Sequence, residues 1–211
     1  MKQELRTNIV LKELHHLFPT VKSSLDYTNS WQFLIAVLMS AQTTDKQVNK
    51  VTKKLFKTYK EAKNFLPLSQ KQLEQEINTI GLYKSKAKHI LATAKIISEQ
   101  YNGSIPTTME ELILLPGVGR KTANVVLAEI FNDPVGIAVD THVSRLSQKF
   151  KLVTSTTPEK IEKELMQLLP KKEWATFTLR MIEYGRMYSP AHKNDLFGDP
   201  ISEKLVSLKL L

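Results

Sequence analysis

LILLPGVGRKTANVVL, residues 112–127, breaks an amphipathic helical pattern at Pro116-Gly117 and restarts it after Gly119. The stretch predicts a helix, a tight glycine hairpin and a second helix. Two glycines in so short a turn let the backbone approach a ligand closely, and the helix start beyond them offers unpaired N–H groups and a partial positive charge. A phosphate fits that description, although Pro-Gly turns also join many helices that bind nothing. Arg120 and Lys121 fall in the first turn of the second helix, where positive charge opposes the helix dipole. They are not placed there for stability.

Outward from the hairpin, apolar residues keep helical spacing: Val48, Val51 and Leu55, then Leu73, Ile77 and Ile80, then Ile161, Leu165 and Leu168. The pattern predicts an all-α fold. Thr108 with Glu111 reads as a capping box, Thr157-Pro158 as an N-cap and first helical residue, and Gly185 as the end of a helix running from Trp174. Residues 31–41, WQFLIAVLMSA, are apolar nearly all round, which predicts a helix buried on every side. The tail after Tyr188, with Pro190, Asp195, Gly198 and Pro200, reads as irregular loop. No period of 20 to 50 residues repeats, which argues against a solenoid.

The 211 residues, 42% of them hydrophobic, are enough for one compact domain or two closely packed lobes. Thirty Lys and Arg against 21 Asp and Glu leave a formal charge of +9. That excess suits a polyanion such as nucleic acid, and equally suits solvated lysine-rich faces. The absence of cysteine excludes disulfides, zinc–thiolate sites and cysteine-ligated iron–sulfur clusters. The start, MKQELRTNIVLKEL, lacks the unbroken apolar core of a signal peptide, and the longest apolar run, 33–39, is too short to span a bilayer. The expectation is a soluble, cytoplasmic protein.

A second element is IAVDTH, residues 137–142, an extended apolar run that delivers Asp140 to the front of a helix containing Val143, Leu146 and Phe150. Alone, it reads as a plain aspartate N-cap. Taken with LPGVGRKTANVVL, however, VDTH resembles the helix-hairpin-helix DNA glycosylases, and among them the endonuclease III family. The likeness extends to SAQTTD (40–45), TIGLYKSKA (79–87) and YGR (184–186), in order along nearly the whole chain.

The resemblance implies two helical lobes with a DNA cleft between them, and a helix-hairpin-helix followed by a Gly/Pro and Asp loop. One lobe would be a helical barrel over residues 23–135, with the hairpin motif at about 108–131; the other would join residues 1–22 to 136–211. It implies a bifunctional glycosylase and abasic-site lyase in base excision repair, acting as a monomer on double-stranded DNA that carries an oxidised pyrimidine or an abasic site. Lys121 would attack the sugar anomeric carbon. Its ammonium, with a reference pKa of about 10.4, must first become neutral, through desolvation or cationic neighbours such as Arg120. Asp140 would accept the lysine proton or stabilise positive charge on the sugar.

Gln42 and Leu82 would fill the space left by a flipped nucleotide, although from its sequence context Leu82 is an ordinary turn leucine. Gly117, Gly119, Arg120 and Arg145 would contact DNA, with Lys84, Lys86, Lys88 and Lys149 extending the phosphate-binding surface or remaining solvated. His142 would position Asp140, bind phosphate or serve the structure. Backbone carbonyls of Ile113, Leu115 and Val118 correspond to positions that hold a monovalent cation in related hairpins. Two other readings stand beside this one: a monofunctional mismatch or alkylation glycosylase, disfavoured by Lys121, and a non-catalytic phosphate-gripping module, disfavoured by Lys121 and Asp140 together.

The chain departs from the family in its tail. Most endonuclease III proteins carry four C-terminal cysteines, spaced C-x6-C-x2-C-x5-C, that ligate an iron–sulfur cluster. Counting from YGR places Ser189, Leu196, Asp199 and Leu205 at those positions. No cofactor is therefore expected, and the loop at 186–205 would keep its place by burying Leu196, Phe197 and Leu205 where the cluster would lie.

Overall fold

The structure, a computed structural model, describes residues 2–191 and 198–211. Its helices are α1 (Lys2–Leu17), α2 (Ser30–Ser40), α3 (Asp45–Thr58), α4 (Gln70–Glu76), α5 (Tyr83–Gln100), α6 (Met109–Leu112), α7 (Arg120–Ile130), α8 (Thr141–Lys149), α9 (Pro158–Leu168), α10 (Lys171–Met187) and α11 (Pro200–Ser207), with a 3-10 turn at Ala62–Phe65. There is no strand among the described residues, so the fold is all-α. The chain divides into two compact units, one of Ser24–Asp133 and one of Met1–Ser23 with Pro134–Leu211.

The 24–133 unit is built round α2, in which every residue from Trp31 to Met39 is buried. The all-round apolar sequence makes this possible: α2 packs against α3, α5 and α7, so no face meets water. Asn29 caps α2 by accepting the Gln32 N–H at 2.9 Å. The Trp31 and Phe65 rings meet edge to face, 5.3 Å apart. The helical spacing of Leu73, Ile77 and Ile80 overreaches, because α4 stops at Glu76. Ile77 leaves helical geometry, and the Ile80 N–H bonds the Ile77 carbonyl in a turn that buries both side chains without a helix.

The core of the other unit gathers Leu14, Val143, Phe150, Phe177, Tyr184 and Leu205. Here α8 packs on α10, and α1 on α10 and α11. Ile137 to Val139 form a buried extended segment rather than a strand, held where Thr178 Oγ1 donates to the Ala138 carbonyl at 2.9 Å. The buried Arg180 guanidinium donates to the Phe18 carbonyl at 3.0 Å, just beyond the C-terminal end of α1. It supplies a donor where helical carbonyls lack partners.

Two expectations are corrected in the tail. Gly185 does not end its helix; α10 continues to Met187. The loop expected to run through Pro200 also gives way to helix there, since Asp199 caps α11 and Pro200 begins it, a dipeptide that opens a helix as readily as a loop. Leu196 and Phe197 lie outside the described residues; Leu205 is fully buried.

Gly185 is small because the ring of His142 lies against it, where an added Cβ would collide with Nδ1. Helix propensity alone favours Gly185→Ala by up to about 1 kcal/mol. The contact with His142 reverses that sign: the variant is expected to lose about 1–3 kcal/mol in urea denaturation. A gain in stability would contradict the packing.

Candidate active site

The hairpin starts from α6, a single turn capped where Thr108 Oγ1 accepts the Glu111 N–H at 3.3 Å. The Glu111 carboxylate accepts a hydrogen bond from the Thr108 hydroxyl at 2.8 Å, so the reciprocal arm goes to the side chain rather than to the backbone of a full capping box. Beyond α6, the Val118 N–H bonds the Leu115 carbonyl at 3.0 Å, and Thr93 Oγ1 donates to the Pro116 carbonyl at 3.1 Å. Leu115 and Val118 are buried on either side of the turn, while Ile113 and Leu114 point outward.

The two glycines serve different ends. Gly117 has φ +81°, and a Cβ there would sit 2.8 Å from Nδ1 of His89. Both the left-handed backbone and the histidine ring require glycine. Gly119 is extended, at φ −93° and ψ 174°, a conformation open to any residue, and a Cβ there would meet nothing within 4 Å. Nothing inside the protein calls for glycine at 119; it leaves the approach to the next helix open.

That helix is α7, and its N-cap Gly119 contributes no side-chain hydrogen bond. α5, α9 and α10 likewise lack a side-chain cap, whereas α3, α4, α6, α8 and α11 begin on Thr44, Ser69, Thr108, Asp140 and Asp199, whose side chains accept N–H groups; what sets α7 apart is the open glycine before it and the two exposed cations in its first turn. α7 therefore opens without a side-chain cap at its N-cap position. Arg120 and Lys121 stand exposed in that turn, while Ala123, Val126 and Leu127 are buried behind it.

Asp140 caps α8, with Oδ1 accepting the Val143 N–H at 2.9 Å. The plain capping role is thus real, and among the described residues Oδ2 makes no hydrogen bond. His142 has the structural role already described against Gly185.

Gln42 and Leu82 sit at the tips of two adjoining loops. Both have left-handed backbones, at φ 55° and 59°, and both are exposed, Leu82 at 59%. For a leucine the left-handed backbone conformation is costly. Gly81 lies so close to the other loop that a Cβ would come within 2.6 Å of the Gln42 carbonyl oxygen.

Three of the cations expected on a phosphate-binding surface are used inside the protein. Lys86 is 6% exposed and donates to the carbonyls of Met39 at 2.7 Å and Ala41 at 2.5 Å. Burial lowers its pKa to about 8. Arg145 donates to the Ser189 carbonyl at 2.5 Å, and Lys149 pairs with Asp199 at 2.5 Å. Lys84 and Lys88 are exposed. The inward turn of Lys86 had a sequence signal, since it falls in register with Ile90, Thr93 and Ile97 on the buried stripe of α5.

A family model described as HhH-GPD superfamily base excision DNA repair protein matches residues 35–171. The endonuclease III of Synechocystis sp. is 43% identical over 192 residues, covering 91% of this chain and 87% of that protein. The Escherichia coli endonuclease III is 38% identical over 95% of this chain and 94% of its own length. The chain belongs to the endonuclease III family. A solved structure of a trapped endonuclease III–DNA covalent intermediate, an estranged-adenine complex, superposes with a TM-score of 0.86 at 38% identity, covering 98% of this chain and 99% of that one. A thermostable thymine-DNA glycosylase, 19% identical with a TM-score of 0.76 over 96% of this chain and 97% of its own, shares the fold.

The residues at the family's cluster positions do not fit an iron–sulfur cluster. Ser189, Asp199 and Leu205 offer a hydroxyl, a carboxylate and an alkyl group, and the chain has no thiolate at all. Among the described residues, no group of three or more His, Cys, Asp or Glu could hold a metal ion. The polar positions form a buried hydrogen-bonded hub instead. Asp199 is 2% exposed and accepts from Lys149, from the Tyr184 hydroxyl, and from Ser202 through its N–H at 3.0 Å and its hydroxyl at 2.9 Å. Lys149 also donates to Ser189 Oγ at 3.1 Å. Burial works to raise the Asp199 carboxyl, but the Lys149, Tyr184 and Ser202 donors together outweigh it and hold its pKa below the ordinary 3.8.

The two glycines give opposite expectations for stability. Gly117→Ala should lose about 1–3 kcal/mol through left-handed backbone strain and the His89 contact, whereas Gly119→Ala should stay within about 0.5 kcal/mol of the parent. Chemical denaturation of the two variants checks this. For Asp199, a folded pKa below the unfolded one means that its stabilisation is complete above about pH 4 to 5 and disappears as pH falls through the folded value. Asp199→Asn, which removes the buried carboxylate charge 2.5 Å from Lys149 Nζ, should cost about 3 kcal/mol at neutral pH and flatten the acid limb of a stability–pH curve.

Proposed function

We propose that this chain is a bifunctional DNA glycosylase and abasic-site lyase that removes oxidised pyrimidines from double-stranded DNA and nicks the strand through a lysine imine. The observation that carries this reading is the first turn of α7: uncapped, opened by a glycine that the fold itself does not need, and bearing an exposed lysine. An anion is the natural complement to such a helix end, and a DNA phosphate brings Lys121 to the adjacent sugar. In the endonuclease III relative that covers nearly the whole chain, a covalent enzyme–DNA intermediate has been trapped.

The neutral amine of Lys121 attacks C1′. The C1′–N bond to the base breaks, and the base leaves with a proton. Ring opening gives an imine between Nζ and C1′, which acidifies the C2′ hydrogen; its loss expels the 3′ phosphate, and water then releases the enzyme. Lys121 is exposed in the protein alone, so its desolvation comes with bound DNA rather than from the fold. Asp140 keeps Oδ1 on its cap and has Oδ2 for a proton or for the positive charge of the sugar. The N-cap thereby fixes the carboxylate without consuming it.

Gln42 and Leu82 would enter the stack when the target leaves it, and the cost of holding both in left-handed geometry is consistent with that use. Carbonyls of Ile113, Leu115 and Val118 would hold a monovalent cation against a phosphate. The Leu115 carbonyl already accepts one N–H and retains its second lone pair.

The reading is tested on a labelled duplex containing thymine glycol, with base release and strand scission followed separately under single-turnover conditions. The parent should do both. Lys121→Ala should lose scission by about a thousandfold while still binding the duplex, and Asp140→Asn should slow base release by about a hundredfold. Gly119→Ala, though stable, should bind about tenfold more weakly, equivalent to about 1.4 kcal/mol. Undiminished scission by Lys121→Ala would exclude the imine route.

A further inference from the structure

We infer that Lys86 is a positioning residue: its buried ammonium ties the Gln42 loop to the Gly81–Leu82 loop, so that the two exposed tips act as one rigid wedge. This rests on the wedge reading of Gln42 and Leu82 given above.

The ties can be followed atom by atom. Lys86 Nζ donates to the Met39 and Ala41 carbonyls at the C-terminal end of α2 and lies 3.4 Å from Thr43 Oγ1. The same Thr43 hydroxyl accepts the Gly81 N–H at 2.9 Å, which links the second loop to the first. Across the same seam, Gln47 Nε2 donates to Thr79 Oγ1 at 2.6 Å. Lys86 belongs to the first turn of α5, and its own N–H bonds the Leu82 carbonyl at 3.0 Å. One side chain thus connects the carbonyl end of α2, the base of the Gln42 tip and the helix that begins at Leu82.

Stability gives a poor account of this ammonium. Taking a charge out of water is expensive, and an apolar side chain of similar volume commonly serves a core as well or better. What an apolar side chain cannot do is supply directed donors to the last carbonyls of α2 and to Thr43. Those donors fix the loop geometry in which Gln42 and Leu82 are held in left-handed backbone conformations. A loose wedge would lose conformational entropy on entering a base stack; a fixed one has already lost it on folding.

The test uses the full-length protein at saturating concentration, with a duplex carrying a tetrahydrofuran abasic analogue opposite 2-aminopurine, whose fluorescence rises when it is unstacked. The parent should raise the plateau fluorescence. Lys86→Met should fold and bind, yet lose about threefold or more of that plateau; Thr43→Val should lose part of it and serves in its place should Lys86→Met fail to fold. A merely structural role for Lys86 would lower the melting temperature or the affinity but leave the saturated plateau unchanged. Leu82→Ala and Gln42→Ala separate the wedge itself from its support by Lys86. Plateau lost in these tip variants but kept in Lys86→Met and Thr43→Val would overturn the role of Lys86 and leave the wedge standing. Plateau kept in the tip variants, or absent in the parent, would remove the wedge reading and the inference with it.

Discussion

The candidate site depends on where the first turn of α7 begins, and that is set by the left-handed Gly117 backbone pressed against the ring of His89. Buried Leu115 and Val118 lock the turn on either side, so α7 starts at one place and with one orientation. With no side-chain cap from Gly119, the helix end keeps a partial positive charge that an anion can meet. Arg120 and Lys121 are unfavourable neighbours for that charge in the isolated protein and favourable ones once an anion arrives. The same geometry therefore explains a local electrostatic cost and the exposed placement of Lys121.

A second theme is the use of buried cations to finish helix ends. Lys86 closes the carbonyl end of α2 and Arg180 follows the end of α1, each meeting acceptors that helix geometry leaves without N–H partners. Lys149 does related work in the tail. The endonuclease III fold commonly fastens this segment by cysteine ligation; in this chain, Asp199 caps α11 while accepting from Lys149 and Tyr184. Among the described residues, hydrogen bonds and the buried Lys149–Asp199 ion pair stand where the family has covalent ligation, and Leu205 fills apolar space beside them.

Much of this architecture could be read from the chain because its signals are local. Pro116-Gly117, the all-round apolar run of α2 and the Thr157-Pro158 helix start each act within a few residues. What escaped reading depends on partners distant in sequence. Gly185 resembles a helix stop until His142 is seen beside it, and Asp199-Pro200 resembles a loop until Tyr184 and Lys149 converge on the carboxylate. Lys86, Arg145 and Lys149 look like surface charge because composition counts cations without revealing which way they turn. The distinct duties of the two hairpin glycines were likewise invisible, since one answers to a histidine 28 positions earlier and the other to open space.

The central claim is that Lys121, and no other amine, joins the DNA sugar. The most direct measurement is sodium borohydride trapping of the protein on thymine glycol duplex, followed by mass-spectrometric mapping of the cross-linked peptide. The account predicts a reduced adduct on the peptide containing Lys121. An adduct carried by a different lysine or by the N-terminal amine, or no adduct while strand scission proceeds, would contradict it.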